Sequence, residues 1–316
     1  MYCICIESSH EKGMGHLFRG INFANCLIES DIDFVFALNN DLKSCQIIEE
    51  KKIKYEIVDL EDLTSEWESK LIDKYKISTW IDDRLCTAFE HSLNVKNSGS
   101  HLVTFDNMGP GAELADIHVA ALPCIWRGNN LSGGKLLSGI DYLVLNQEIN
   151  KYRRLRTRCS KILVVLGGSD THGITIRVAQ ELINKNINAT ILLGPSFSHH
   201  KELTAAVGDK LEIKNSVASL MKEFSLYDLA ITGGGLTAFE ANASGLPCII
   251  IANEPHEIIN AEYLEDQGCS AYAGFRQDFD PDFFYKTRDV LAMSQNGLQK
   301  FKLDGAAAIF QEIKKL

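Results

Sequence analysis

The sequence predicts an α/β protein made of two Rossmann-like, doubly wound domains that face each other across a cleft. Short apolar runs alternate with amphipathic segments along nearly the whole chain, which is the pattern of parallel sheets covered by helices on both faces. Two series of such units each begin with a strand and a glycine-bearing turn, at residues 13–15 and 167–170. The 316 residues are too many for one ordinary domain and comfortable for two.

Short apolar runs predict six strands in each half of the chain. In the first half they cover residues 3–7, 34–38, 55–58, 79–82, 102–105 and 117–121. In the second half they cover residues 161–166, 190–193, 211–213, 229–232, 248–252 and 271–274. Helical periodicity predicts helices over 174–184 and 256–267, and a helical segment over 283–316 with Gly305 as a turn.

The boundary between the domains is predicted near residue 150, which gives an N-terminal domain of residues 1–150 and a C-terminal domain of residues 151–316. The stretch 146–160 is rich in basic residues and poor in apolar ones. A solvated linker is the favoured interpretation of this stretch, and a basic binding patch is the alternative. We expect the last helix to pack back on the N-terminal domain.

Composition and charge exclude several classes of function. The chain has 32 basic and 42 acidic residues and a net charge of −10, which argues against a nucleic-acid or anionic-membrane surface. No apolar run approaches the length of a membrane span. Nine scattered cysteines without a CxxC pair suit a reduced compartment, and Cys3 and Cys248 are predicted to be core residues. We therefore expect a cytoplasmic protein without membrane insertion, cofactor or metal.

The stretch 232–247 predicts a nucleotide-binding turn. Gly233, Gly234 and Gly235 follow an apolar strand and precede a short helix, whose first amide N–H groups point towards the turn. Such a helix end binds anions, phosphates above all. Glu240 comes about one helical turn later, where a carboxylate suits a ribose diol. The stretch therefore predicts a site for a nucleotide diphosphate, and a turn that needs glycine only for packing is the alternative.

The turn after the first strand carries the candidate base. Gly13 and Gly15 permit close approach of a ligand, and His16 stands where a helix would begin. Imidazole titrates close to neutral pH and is the usual general base. Arg19 lies one turn further on, where it could meet an anion or support Glu7. A helix-capping or packing role for His16 is the alternative.

Further polar groups end other predicted strands. Gly168 and Ser169 could admit a phosphate or a sugar, and helix capping by Ser169 and Asp170 is the alternative. His256 and Glu257 begin a helix after an apolar run, where they could bind sugar hydroxyls. The carboxylates of residues 82, 83 and 106 could touch substrate or a catalytic histidine. A divalent metal at these carboxylates is disfavoured, because no tight ligand cluster is visible.

These motifs together resemble one family, the UDP-2,4-diacetamido-2,4,6-trideoxy-β-L-altropyranose hydrolases of pseudaminic acid biosynthesis. The likeness covers nearly the whole chain. It rests on residues 13–19, 79–83, 105–107, 141–145, 162–170, 228–247 and 304–307. The resemblance implies the GT-B architecture and a relation to the peptidoglycan N-acetylglucosaminyltransferase.

The resemblance also implies roles for individual residues. It makes His16 the catalytic base, and it makes Gly233, Gly234, Gly235, Thr237 and Glu240 the residues that hold UDP. This chain departs from the family at His256-Glu257, where an Asn-Gln pair is usual, and at Cys5 and Glu7, where arginine and aspartate are usual.

The function expected from these features and from the resemblance is hydrolysis of a UDP-activated amino or deoxy sugar, which releases UDP and free sugar in nonulosonic (pseudaminic-type) acid or surface-glycan biosynthesis. A glycosyltransferase that uses a UDP-sugar donor is the first alternative, with His16 deprotonating an acceptor hydroxyl. A non-catalytic nucleotide-sugar-binding protein is the second. The sequence leaves open the sugar, the stereochemical outcome and the oligomeric state.

Overall fold

The computed structural model describes all residues 1–316, which form two compact units. The first unit contains Met1–Lys12, His16–Val144 and Asp304–Leu316, and the second contains Gly13–Gly15 and Leu145–Leu303. The last helix, Gly305–Ile313, belongs to the first unit, although the 159 residues of the Leu145–Leu303 segment separate Asp304 from Val144 in sequence.

The first unit is built on a parallel sheet of seven strands. In chain order these are β1 Tyr2–Ile6, β2 Phe34–Leu38, β3 Tyr55–Ile57, β4 Thr79–Asp83, β5 His101–Phe105, β6 Ile117–Ala120 and β7 Lys135–Ser138. Their order across the sheet is β3-β2-β1-β4-β5-β6-β7, and every pair is parallel. The strand order reverses its direction between β1 and β4, which is where open α/β sheets bind their ligands.

Helices cover this sheet and connect its strands. They are α1 Gly15–Glu29, α2 Leu42–Glu50, α3 Trp67–Tyr75, α4 Phe89–Asn97 and α5 Pro123–Trp126, with 3₁₀ turns at Pro110–Leu114 and Ile140–Tyr142. Strands β1 and β2 are apolar and almost wholly buried, as parallel strands between two helical layers are expected to be, whereas the equally buried β4 ends in Asp82 and Asp83. The last helix begins at Gly305. A glycine is required at this position because a Cβ would lie 2.2 Å from the carbonyl oxygen of Leu143.

The second unit repeats this plan with six strands. They are β8 Ile162–Val165, β9 Thr190–Leu192, β10 Glu212–Lys214, β11 Leu229–Thr232, β12 Cys248–Ala252 and β13 Ser270–Phe275. The order is β10-β9-β8-β11-β12-β13, again all parallel. Its direction reverses between β8 and β11, and the two glycine turns of this unit directly follow those two strands.

The helices of the second unit lie between these strands. They are α6 Ile149–Tyr152, α7 Ile174–Asn184, α8 His200–Val207, α9 Leu220–Phe224, α10 Leu236–Ala243, α11 Pro255–Asp266 and α12 Val290–Lys300, with a 3₁₀ turn at Pro281–Phe284. Val178, Leu182, Ile191, Ile231 and Ile249 belong to the buried core that α7 forms with the sheet.

The structure confirms the α/β class with two Rossmann-like parallel sheets, and it confirms all twelve predicted strands, whose ends differ by at most one residue. Cys3 and Cys248 are core residues, as predicted. Strand β7 was missed because three of its four residues are exposed, so it lacks an apolar run.

The interpretation of residues 146–160 as a solvated linker is wrong for Arg156. Its side chain is fully buried and donates to the carbonyl oxygens of Arg154, Phe224, Tyr227 and Ser244. Burial, with the nearby charge of Arg154, lowers the pKa of Arg156 to about 9. A basic residue in a polar stretch can thus be a structural residue when backbone carbonyls surround its guanidinium.

Candidate functional site

The imidazole of His16 forms the centre of the candidate site in the first unit. His16 is the second residue of α1, and its Nδ1 lies 2.7 Å from Oδ1 of Asp83, the last residue of β4. The parallel register places Asp83 beside Ile6 of β1, so the carboxylate stands at the reversal point of the sheet, next to the loop that leads to α1. The His16 side chain is about one-fifth exposed, whereas Asp83 is buried. Asp83 is therefore a strand-end carboxylate that contacts His16, and the catalytic role of this histidine stays a prediction.

Arg19 joins this carboxylate to a second one. It lies one helical turn after His16 and donates from Nε to Oδ2 of Asp83 at 2.9 Å, and from its other nitrogens to Asp83 and to Oδ2 of Asp106. The remaining oxygen of Asp106 accepts the amides of Ala121, at 2.7 Å, and Leu122, at 3.0 Å. Arg19 is thus a buried support for Asp83, where the sequence suggested contact with an anion or with Glu7. The structure pairs Glu7 with Lys12 instead.

The charges fix the roles of the groups in this cluster. Burial raises the pKa of Asp83, but the Arg19 guanidinium and His16 more than offset this and hold it below its ordinary value. Burial likewise lowers the pKa of Arg19, and the two carboxylates raise it overall. Because an ionised carboxylate only accepts hydrogen bonds, His16 must donate to it through Nδ1–H. Nε2 of His16 is then left as a proton acceptor, which is the arrangement of a general base held by a buried aspartate.

A second group of buried charged side chains is centred on Asp82, the residue that precedes Asp83 in β4. Arg84 donates to both oxygens of Asp82, at 2.8 and 3.1 Å, and Nδ1 of His91 lies 2.7 Å from Oε1 of Glu68. Cys5, Asp82 and His91 bring one potential metal-ligand atom each within 4.8 Å of one another. Asp82 is already paired with a guanidinium that holds its pKa below the ordinary value against the effect of burial. We therefore assign this group a structural role.

The candidate nucleotide site of the second unit lies after β11. Helix α10 begins at Leu236 without a side-chain cap, so the amides of its first turn point into the Gly233–Gly235 turn with no side-chain partner. None of these three glycines has a positive φ angle, so conformational freedom does not explain them. Gly234 is required by close packing, because a Cβ there would lie 2.6 Å from the carbonyl oxygen of Glu257.

Glu257 occupies part of the expected phosphate site. It stands in the first turn of α11, and its Oε2 accepts the amide of Gly234 at 3.1 Å and that of Asn253 at 2.7 Å. Burial raises the pKa of Glu257 above its ordinary value, in spite of these hydrogen bonds. A carboxyl group of the protein thus takes the amide of Gly234, and the first amides of α10 remain as donors for a ligand.

Glu240 is a buried carboxyl group with little hydrogen bonding. It lies in α10, is 8% exposed, and its Oε1 accepts the amide of Asn146 at 3.3 Å. Burial raises its pKa to about 7, and the Asn146 amide lowers it only in part. A buried carboxyl group of this kind has acceptor capacity left over, which a pair of ribose hydroxyls could use.

The turn after β8 is shaped by helix capping. Both oxygens of Asp170 accept backbone amides at the start of α7, from Ile174 at 2.9 Å and Thr175 at 2.8 Å. Ser169 is 7% exposed and lies 3.2 Å, between hydroxyl oxygens, from Thr171. The carbonyl of Gly168 is 2.9 Å from the amide of Ser196. The capping alternative thus holds for Asp170, while a ligand role for Gly168 and Ser169 stays a prediction.

The other predicted residues lie on the same loops. Gly13 has φ +83°, which favours glycine, and Gly15 opens α1 with open space at its Cβ position. Thr237 is half-buried in the first turn of α10, and His256 is half-buried in the first turn of α11. The sequence patterns missed the contact of Glu257 with Gly234, because nothing local indicates that α11 folds back on this turn.

No family model matches the chain, but three curated proteins resemble it. An uncharacterised protein of Methanocaldococcus jannaschii is 29% identical over 288 residues, 83% of this chain and 58% of that protein. The spore coat polysaccharide biosynthesis protein SpsG of Bacillus subtilis is 26% identical over 86% of this chain and 83% of its own length. The UDP-N-acetylglucosamine–N-acetylmuramyl-(pentapeptide) pyrophosphoryl-undecaprenol N-acetylglucosamine transferase of Rickettsia bellii is 28% identical over 52% of this chain and 49% of its own length. The chain therefore spans less than two thirds of the first of these relatives.

Solved structures share the fold over the whole chain. MurG of Acinetobacter baumannii superposes with a TM-score of 0.70 and 15% identity, covering 100% of this chain and 99% of MurG. The spinosyn rhamnosyltransferase SpnG complexed with thymidine diphosphate superposes with a TM-score of 0.67 and 13% identity, covering 99% of this chain and 100% of SpnG. The fold is GT-B. The chain is thus glycosyltransferase-like in architecture. None of its helices combines the length and the apolar character that a membrane span requires.

Proposed function

We propose that this GT-B protein transfers a glycosyl group from a nucleotide-sugar donor to an acceptor hydroxyl, with His16 as the general base. The observation that carries the proposal is the 2.7 Å contact between His16 Nδ1 and the buried carboxylate of Asp83. It leaves Nε2 as the atom that takes a proton. The relatives that have an assigned activity in their names, and the neighbours of known structure, include glycosyltransferases.

The second unit supplies the anchors of the donor in this proposal. The amides of Gly235, Leu236 and Thr237, at the start of α10, bind the diphosphate. Glu240 accepts hydrogen bonds from the ribose hydroxyls. Support comes from the missing side-chain cap of α10 and from the unused acceptor capacity of Glu240. Uridine is the expected base, since the Rickettsia bellii relative is named for a UDP-sugar.

The reaction then needs one proton transfer and one displacement. Nε2 of His16 takes the proton of the acceptor hydroxyl as its oxygen attacks the anomeric carbon. The bond from that carbon to the diphosphate oxygen breaks, and the nucleoside diphosphate leaves with the electron pair. Amide donors that face the developing charge stabilise the leaving group, as preorganised dipoles do. Asp83 keeps His16 in the required tautomer and stabilises the imidazolium that forms.

The test is release of nucleoside diphosphate from a panel of UDP- and dTDP-sugars, with and without candidate acceptors, followed by phosphorus NMR. We expect release that depends on an acceptor and is lost in His16→Ala, while the variant still binds nucleoside diphosphate. Tight binding without release for any donor and acceptor would contradict the proposal and indicate a nucleotide-sugar-binding protein.

Hydrolysis is the second candidate, with water in place of the acceptor hydroxyl. The observation that favours it is the run of motifs shared with the UDP-sugar hydrolases, from the turn at residues 13–19 to the segment 304–307. The hydrogen-bonded pair of His16 and Asp83 can accept a proton from water as well as from an acceptor hydroxyl. Release at full rate without any acceptor, and equal amounts of free sugar and UDP, would favour this candidate over transfer.

A further inference from the structure

The hydrogen-bonded cluster around His16 holds two carboxylates but only one guanidinium. Arg19 donates to both oxygens of Asp83 and to Oδ2 of Asp106, so one positive charge is shared between two negative ones. With a neutral imidazole the cluster therefore carries one net negative charge. When His16 carries a second proton, the positive and negative charges are equal in number. The transfer of a proton to His16 thus removes a charge imbalance from a largely buried site.

The surroundings of Asp106 are those of an anion. Its side chain is buried, and its carboxyl group is bound by three donors on its two oxygens. Oδ2 accepts from Arg19, while Oδ1 accepts the amides of Ala121, at 2.7 Å, and Leu122, at 3.0 Å. Donors on both oxygens favour the ionised form of a carboxyl group, because they stabilise its charge.

The backbone at position 106 also suits an aspartate. The residue directly follows β5 and has a φ of +47°, in the left-handed region where asparagine and aspartate are enriched among non-glycine residues. Strand β5 lies between β4 and β6, so Asp106 stands between Asp83, at the end of β4, and the two amides that follow β6. Asparagine would fit this backbone equally well, so the negative charge is what distinguishes aspartate here.

Arg19 without Asp106 would weaken His16 as a base. Its Nη2 lies 3.4 Å from Nδ1 of His16, and both groups share Oδ1 of Asp83. A cation this close disfavours a second positive charge on the imidazole. Water screens little of this repulsion, because Arg19 is buried and its Cζ lies 5.9 Å from the centre of the Phe105 ring. Asp106 counters the repulsion, since its carboxylate binds another nitrogen of the same guanidinium.

Other charged side chains on the neighbouring elements do not supply this balance. They are paired with each other or face solvent: Arg84 with Asp82 on β4, His91 on α4 with Glu68, Lys12 with Glu7 in the loop before α1, and the exposed Glu11 of that loop. The half-buried His10 of the same loop is a second titratable group, so its signals must be separated from those of His16. The surplus negative charge of the cluster is therefore assigned to Asp106.

We propose that Asp106 is a positioning residue for the reaction: its charge offsets that of Arg19, so that the pair of His16 and Asp83 can accept a proton. Asp106 acts through Arg19 and needs no contact with substrate. That the proton comes from an acceptor hydroxyl rests on the proposed function, whereas the protonation of His16 can be measured in the free protein.

The first test measures the protonation of His16 in the full chain without substrate. With ¹⁵N-labelled histidine, long-range ¹H–¹⁵N spectra distinguish imidazolium from neutral imidazole, and His16→Ala identifies the His16 signals. Asp106→Asn keeps an oxygen for the amides of Ala121 and Leu122 but removes the charge. At a fixed pH near neutrality, we expect the ratio of imidazolium to imidazole at His16 to fall about 3- to 10-fold. An unchanged ratio would overturn the proposal.

A double substitution separates the effect of charge from that of structure. Arg19→Met combined with Asp106→Asn removes one charge of each sign, so the cluster regains the net charge of the wild type. We expect the ratio at His16 to recover towards the wild-type value. Losses of packing or of hydrogen bonds would add up in the double variant instead, so a ratio as low as in Asp106→Asn or lower would refute the role of charge.

Two further proteins complete this comparison. Arg19→Met alone leaves two carboxylates beside His16 and should raise the ratio above that of the wild type. Its difference from the double variant measures the Asp106 charge even if Asp106→Asn does not fold, and equal ratios in these two proteins would also refute the proposal. The matched control is Asp31→Asn, which removes the charge of an exposed aspartate whose φ is +56°.

Turnover tests the link to the reaction separately. Once a donor and an acceptor are known, Asp106→Asn should lower kcat about tenfold while the affinity for nucleoside diphosphate stays within about twofold, because only the base is weakened. A wild-type kcat in a variant whose His16 ratio has fallen would overturn the assignment of Asp106 to the reaction. Absence of nucleotide release by the wild-type protein counts against the proposed function, and it leaves the spectroscopic result for Asp106 standing.

Discussion

Nδ1 of His16 lies 2.7 Å from Oδ1 of Asp83, and the same carboxylate receives Nε of Arg19 at 2.9 Å. One buried aspartate thus orients both the candidate base and the guanidinium that keeps the aspartate ionised. The three residues come from a helix start and a strand end, which the topology of a Rossmann-like sheet brings together. This arrangement leads to the first two predictions.

Substitution of Asp83 by asparagine should lower kcat about 10²- to 10⁴-fold, because a well-placed general base contributes about that factor. The amide can present its N–H to His16, which favours the wrong tautomer. Affinity for nucleoside diphosphate, measured by calorimetry, should change little. His200→Ala, an exposed histidine at the start of α8, is the matched control. If kcat of Asp83→Asn stays within threefold of the wild-type value, the pair of His16 and Asp83 does not act as the general base.

Replacement of Arg19 should destabilise the fold more than it weakens nucleotide binding. Arg19→Met leaves Asp83 and Asp106 buried without their counter-ion, which typically costs about 3–5 kcal/mol of the free energy of unfolding. Arg19→Lys keeps the charge and should cost less. Urea titrations give the values, with the exposed Arg158→Met as control. If Arg19→Met unfolds at the wild-type midpoint and only loses nucleotide affinity, Arg19 contacts the ligand after all.

Glu257→Gln should tighten the binding of a nucleotide sugar at pH values above the pKa of Glu257. The carboxylate lies against the amide of Gly234, so its negative charge repels a diphosphate on the neighbouring amides of α10. Since the protonated form binds better, wild-type affinity should fall as pH rises through the raised pKa of Glu257, and the variant should show a flatter profile. A nucleotide sugar in the His16→Ala background is the right ligand, because a terminal phosphate has a second pKa of about 6 and its own titration would change the affinity with pH.

The exposed Glu262→Gln, also on α11, is the control for this experiment. Identical pH profiles for wild type and Glu257→Gln would show that the diphosphate does not lie near Glu257.

Glu240→Gln should change how stability depends on pH. Burial raises the pKa of Glu240 from 4.5 to about 7, so the folded protein binds this proton more tightly than the unfolded chain does. The resulting stabilisation is complete below pH 4.5 and is lost as pH rises through 7, by about 3 kcal/mol in all. Relative to wild type, the variant should therefore gain stability as pH rises from 5 to 8 in urea titrations. Parallel pH profiles would mean that Glu240 keeps an ordinary pKa in the folded protein.

The parts of the candidate site that could be predicted from the sequence are mostly the glycine turns and the residues at strand ends. Residues 13–16 and 233–235 stand after apolar strands, and parallel topology then places them at the carboxyl edges of their sheets. The pairing of His16 with Asp83 follows from the same argument, because β1 and β4 are neighbours in a 3-2-1-4 order. The reason for the glycine at 234 was not accessible, since it depends on how α11 packs.

Contacts between distant segments account for the rest. Arg156 belongs to a polar stretch, yet four carbonyl oxygens from different loops surround it. His118 and Ser132 are joined across a loop that has no periodic pattern. Local composition predicts solvent exposure for such residues, and only tertiary packing overrides it.

The discontinuous first unit has a consequence for synthesis on the ribosome. Residues 145–303 are nearly all of the second unit and are translated as one block, whereas the first unit is incomplete until Asp304–Leu316 have been translated. Buried residues of that last segment, such as Ile309 and Phe310, leave apolar surface uncovered on the nascent first unit. Domains generally fold as units during translation. The unit that carries His16 therefore begins before most of the second unit in sequence and is completed after it, so a fragment that ends at residue 303 would contain all of the second unit and an incomplete first unit.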